Sequence, residues 1–211
     1  MSYFTWGLLM RAHWFSDHRD LLKWSVLLHL AEKHGLRNIL WVPYLRFEND
    51  RPTFRFCDER VKVQDAVWEF FRDMKRIEAL ACEGTEIAVV WEEFDHKRRS
   101  EYSSKIADGL LSLKRPLLVF LDPDTGLAPK SPKEKHVTDA EVADVWSQIR
   151  LGDWMVLYQH AWRNEEWAET SRKRLAQICG DSTVEVARSE KVARDVAFLC
   201  TRKNGKTRSA K

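Results

Sequence analysis

The order of apolar and polar positions divides the chain into alternating helical and extended segments. From Asp17 to His34, Leu21, Leu22, Trp24, Val26, Leu27, Leu28, Leu30 and Ala31 form a broad apolar helix face. Ser16 or Asp17 can cap its start and Gly35 ends it. Short apolar runs follow at Asn38–Tyr44, Glu86–Trp91, Leu117–Leu121 and Trp154–Tyr158. Runs of that length without polar alternation predict strands buried on both faces, as inside a parallel sheet. Helix patterns separate them: Val61 to Cys82, with Val63, Val67, Phe70, Phe71, Met74, Ile77 and Leu80 near helical spacing, then Ser100 to Leu113. A further helix runs from a Thr138-x-x-Glu141 capping box to about Arg150, and another from Asn164 to Cys179. Arg46 to Arg60 is irregular, with a short hairpin expected around Thr53–Cys57. Thr183–Arg188 and Asp195–Thr201 alternate and predict a closing antiparallel hairpin.

Strand–helix alternation specifies an α/β fold, a mostly parallel sheet with helices on both faces, in one domain spanning 1–203. The basic stretch 204–211 is expected to fray. At 211 residues, 44% hydrophobic and 32% charged, the chain can bury a good-sized core. Its apolar runs are too short to cross a bilayer, and Met1–Trp6 lacks the basic start of a secretion signal. Cys57, Cys82, Cys179 and Cys200 show no C-x-x-C spacing, which predicts reduced thiols in a cytoplasmic protein and no zinc cluster. A net charge of +3 admits a nucleic-acid partner without selecting one, and ten tryptophans include candidates for stacking on a base.

Candidate chemistry concentrates at the ends of two strands. Leu117–Leu121 stops at Asp122-Pro123-Asp124-Thr125-Gly126, two carboxylates where open α/β sheets place their ligands. A solvated turn is the plainer reading of the same residues. The next strand runs into Tyr158-Gln159-His160-Ala161-Trp162-Arg163. If the two strands are parallel neighbours, Asp122, Asp124 and His160 emerge at one sheet edge. Thr125, Tyr158, Gln159 and Arg163 then line the same crevice. A third group, Asp17, Asp20 and Lys23, shares a face at the first helix start through i, i+3 spacing, a pattern that capping and a salt bridge would also explain.

The string Phe15-x-Asp17-x-x-Asp20-Leu21-Leu22-Lys23-Trp24 resembles the N-terminal signature of J-type ribosomal RNA adenine-N6 methyltransferases. Asp20, Lys23 and Trp24 match it, and Asp122-Pro123 matches the start of the D-P-P-Y motif of amino-methyltransferases. The resemblance implies the class I methyltransferase (Rossmann-like) fold, with Asp20 and Lys23 near an S-adenosylmethionine pocket. It also implies a nucleic-acid base amine as substrate, held by Asp122. The chain departs from the family twice. Pro43-Tyr44-Leu45-Arg46-Phe47 stands in place of the glycine-rich turn, and Asp124-Thr125 replaces the second proline and the aromatic, leaving stacking to Tyr158 or Trp162.

Three readings follow. The first is a methyltransferase acting on an RNA or DNA base, with Lys130, Lys133, Lys135, His136 and Arg163 meeting phosphates. The second is a metal-dependent phosphodiester or nucleotide hydrolase, with Asp122 and Asp124 on a divalent cation and His160 as ligand or base. The third is a non-catalytic relative keeping the fold as a binding subunit.

Overall fold

The computed structural model describes residues 18–46, 53–56, 59–62, 77, 80, 84–162 and 165–205. Helix α1 (His18–His34) leads into strand β1 (Asn38–Val42), and a hairpin of β2 (Thr53–Phe56) and β3 (Glu59–Lys62) follows. Then come β4 (Glu86–Val89), α2 (Arg99–Ser112) and β5 (Leu117–Leu121), with the short strands β6 (Gly126–Leu127) and β7 (His136–Val137) after them. The chain continues through α3 (Asp139–Gln148), β8 (Trp154–His160), α4 (Trp167–Ile178), β9 (Val184–Ala187) and β10 (Val196–Arg202).

Six strands form the main sheet in the order β4-β1-β5-β8-β10-β9. β4, β1, β5 and β8 pair in parallel, and β10 runs antiparallel to both β8 and β9. This is the expected mostly parallel sheet with a closing antiparallel hairpin. Residues alternate cleanly between its faces, as the two-residue strand period requires. Leu117, Val119, Leu121, Met155 and Leu157 enter a core with Ile106, Leu110, Val142, Val145 and Leu175 of α2, α3 and α4. Leu118, Phe120, Val156, Tyr158 and Phe198 enter the other, with Trp24, Leu27, Leu30 and Ala31 of α1. Both faces are therefore covered, which is why these strands carry continuous apolar runs.

The Thr138 capping box is present, with the Thr138 hydroxyl accepting from the Glu141 amide and the Glu141 carboxylate accepting from the Thr138 amide. One expectation needs correction. Val61 and Lys62 belong to β3 and pair with Phe54 and Thr53, so no helix begins at Val61. Backbone pairing with the preceding strand wins there over the helical spacing of the apolar residues. The loop 128–137 is also pinned at its ends, because Gly126 and Leu127 pair in parallel with His136 and Val137. The remainder of the expected 61–82 helix, apart from Ile77 and Leu80, lies outside the described residues, as do Asp17, Arg163, Asn164, Cys57 and Cys82. Cys179 and Cys200 are free and buried. Among the described residues no helix is long and apolar enough to cross a membrane.

Candidate functional site

The strand period decides where the two aspartates go. Phe120 faces α1, so Asp122, two residues on, faces α1 as well. Its amide donates to Val42 O at 2.9 Å, continuing the β5–β1 ladder one step past the strand. Asp122 Oδ2 accepts from Trp41 Nε1 at 2.8 Å and lies 2.8 Å from Lys23 Nζ. Lys23 in turn donates to Asp20 Oδ1 at 2.7 Å. The i, i+3 pair on α1 thus closes around the end of the central strand. Lys23 is sheathed in aromatics, its Nζ 5.6 Å from the Trp41 ring centroid, 5.9 Å from Phe120 and 6.0 Å from Tyr158.

Asp122 is 1% exposed and Lys23 3%. Burial alone would pull the Lys23 ammonium down, but Asp122 and Asp20 outweigh it and hold the pKa well above the ordinary lysine value. Burial pushes Asp122 up to about 6, with Lys23 and Trp41 offsetting only part of the rise. Asp122 Oδ1 is buried and has no hydrogen-bond partner among the described residues. A buried acceptor left open beside a doubly held one is unusual in a folded protein.

The other expected site residues divide into separate groups. Asp124 is buried and ion-paired with Arg46, which follows β1. Gln159 faces away from α1: its Oε1 accepts from the Leu127 amide at 3.0 Å and its Nε2 donates to Thr125 O and His160 O. It clamps the turn after β5. The Thr125 hydroxyl donates to Lys135 O, tying the far side of that turn. Gly126 is required here, since it adopts φ +97° and an added Cβ would lie 2.4 Å from Gln159 Oε1. His160 Nε2 lies 3.1 Å from Asp195 Oδ2, close but without hydrogen-bond alignment. Arg19 grips both Asp195 oxygens. Burial would raise the Asp195 carboxyl, yet Arg19 and His160 bring it below its usual value. Burial also pushes the Tyr158 phenol up, so it stays protonated at neutral pH.

The structure therefore brings Asp20, Lys23, Asp122 and Tyr158 together. It places Asp124 with Arg46, Gln159 on the opposite face and His160 with Asp195. His136, expected to meet phosphate, turns inward: it is buried, its Nδ1 accepts from the Lys133 amide, and burial and Lys135 lower its pKa. Trp41, Arg46, Arg19 and Asp195 were not singled out from the sequence. Trp41 alone left a trace there, as an indole in a strand of otherwise aliphatic character.

Neither implied group fits what is present. The two carboxylates turn to different cations, Lys23 and Arg46, and among the described residues no three His, Cys, Asp or Glu side chains are grouped to hold a metal ion. At the turn after β1, Tyr44 takes φ +51°, a backbone region favoured by glycine, yet carries a buried ring packed on Phe94 and Tyr102. A cofactor that needs bare backbone at that turn meets side chains instead.

No family model matches the chain, and no curated protein matches it. Among solved structures, a provisionally assigned methyltransferase from Thermobifida fusca is 16% identical, with 89% of this chain and 80% of that one covered and a TM-score of 0.48. A DUF574 family protein from Streptomyces avermitilis is 12% identical over 88% of this chain and 82% of its own, with a TM-score of 0.46. The release factor-specific protein-(glutamine-N5) methyltransferase from Alicyclobacillus acidocaldarius is 10% identical over 86% and 93%, with a TM-score of 0.37.

Proposed function

We propose that this chain is a methyltransferase-like protein that recognises the amino group of a nucleic-acid base through Asp122. The observation that carries the reading is the open acceptor Oδ1, buried beside an Oδ2 that Lys23 and Trp41 hold in place. A carboxylate oriented by two donors on one oxygen presents the other to a ligand N–H at no further ordering cost. Asp122 is 1% exposed, so a ligand reaches Oδ1 only by displacing part of what covers it. S-adenosylmethionine is the cofactor that the family resemblance implies, but the turn at Tyr44 does not fit it, and the role proposed for Asp122 is recognition of the base. This favours the binding-subunit alternative over turnover. The hydrolase reading loses its support, because Asp122 and Asp124 have separate cationic partners.

Asp122→Asn tests this sharply. Trp41 Nε1 and Lys23 are both donors, so they pin the new amide oxygen at the Oδ2 position and place its NH₂ where Oδ1 was. An acceptor becomes a donor. Calorimetry with adenine- and hypoxanthine-bearing oligonucleotides should show the wild type preferring adenine and the variant losing that preference, a change of at least tenfold for one charged hydrogen bond. Equal binding of both bases by the wild type overturns the reading. Stabilisation by S-adenosylhomocysteine in a thermal-shift assay would restore a methyl-donor site.

A further inference from the structure

The corner beside His160 carries a second feature, built from two loops that the site does not use. Val196 of β10 pairs with His160 of β8, and the Ala161 amide donates to Asp195 O at 2.7 Å. These bonds lay the loop after β8, which carries Trp162, alongside the 188–195 loop that joins β9 to β10. Because β8 and β9 both run antiparallel to β10, this corner lies at the same carboxyl edge of the sheet as Asp122.

The 188–195 loop exposes Arg188, Lys191 and Arg194 against one exposed acid, Glu190, since Asp195 is engaged by Arg19. The Arg188 guanidinium carbon sits over Trp167, 5.0 Å from the ring centroid, which fixes one cation at the base of the loop. Trp162 is 38% exposed and Val192 38%, so the two adjoining loops expose an aromatic and an apolar residue as well as the cations. Glu165 and Glu166, later in the chain than Trp162, are exposed acids.

We infer that this corner is a docking surface for single-stranded nucleic acid. Arg188, Lys191 and Arg194 follow the phosphates, and Trp162 offers its face to a base. Cations interleaved with an exposed aromatic fit a flexible strand, whose unstacked bases can reach the ring, better than a duplex, whose bases are already stacked. The inference rests on the proposed nucleic-acid partner and adds the path by which a strand approaches the edge.

Fluorescence anisotropy with a labelled single-stranded 12-mer tests it, using the full chain. With three phosphate contacts, the log–log salt slope should be about −2, so raising salt from 50 to 200 mM should weaken binding about twentyfold. Lys191→Glu with Arg194→Glu should weaken binding at 50 mM salt by tenfold or more and flatten the slope, with the melting temperature unchanged. Trp162→Ala should weaken binding of the base-bearing strand about tenfold, yet leave an abasic strand of equal charge unaffected. Wild-type binding that is undetectable at 50 mM salt, or unchanged in the double variant, overturns the inference. Equal affinity for base-bearing and abasic strands overturns it too, leaving an unspecific polyanion surface. A strand that binds here with no preference for adenine over hypoxanthine would leave this corner standing while removing the role of Asp122.

Discussion

Replacing Lys23 by Met removes the ammonium that bridges Asp20 and Asp122 and nearly preserves side-chain length. Its Nζ lies 2.7 Å from Asp20 and 2.8 Å from Asp122, and Lys23 and Asp122 are 3% and 1% exposed, so water cannot take its place cheaply. Breaking a buried ion pair by deleting one partner costs about 3–5 kcal/mol, which for a chain near 200 residues lowers Tm by roughly 6–20 °C. The loss must depend on pH. In the wild type Asp122 titrates at about 6, above its ordinary value of about 3.9, so between those limits the folded state binds more protons than the unfolded. Its contribution to stability is therefore greatest below about pH 4 and falls by on the order of 3 kcal/mol as pH rises to 6. Without Lys23 the carboxyl is raised further and the falling limb extends above pH 6. Urea denaturation at pH 5 and pH 8 should show a deficit for Lys23→Met at both, and a larger one at pH 8. A deficit below about 1 kcal/mol, or the same deficit at both pH values, would refute the reasoning.

Three further outcomes can be checked alongside. Asp122→Asn leaves a neutral Lys23–Asp20 pair, so at pH 8 it should melt at or above the wild-type temperature and lose the fall in stability between pH 4 and 6; differential scanning calorimetry across pH reads both. Gly126→Ala should cost about 1–3 kcal/mol through its φ of +97° and its clash with Gln159, and the clash part should vanish in a Gln159→Ala background, a coupling that a double-mutant cycle measures. Thr138→Ala removes one half of the capping box and should cost about 1 kcal/mol in urea denaturation.

Much of this edge was legible because strand periodicity is rigid. The run Leu117–Leu121 marks a strand buried on both faces, and the two-residue period then puts Asp122 on the same side as Leu118 and Phe120. The i, i+3 spacing of Asp20 and Lys23 likewise shows that they share a helix face. What spacing cannot supply is the element lying opposite. Arg19 meets Asp195 across 176 positions and Trp41 meets Asp122 across 81, and no local pattern encodes either pairing. The single hollow expected for Asp122, Asp124 and His160 dissolves for the same reason. Each lies against its own unforeseen neighbour, Asp122 against Lys23 and Trp41, Asp124 against Arg46 and His160 against Asp195. Tyr44 was hidden differently, since a tyrosine at positive φ breaks the rule by which such turns are read from glycine.

The end of β5 holds a buried carboxylate, paired with Lys23 through one oxygen and raised by burial. Carbon-13 NMR of the Asp122 carboxyl, assigned by its loss in Asp122→Asn, reads that directly. A titration midpoint near 6 is the expected result. A midpoint at or below 4 would mean that Lys23 fully compensates the carboxylate and that Oδ1 holds no unmet demand for a donor.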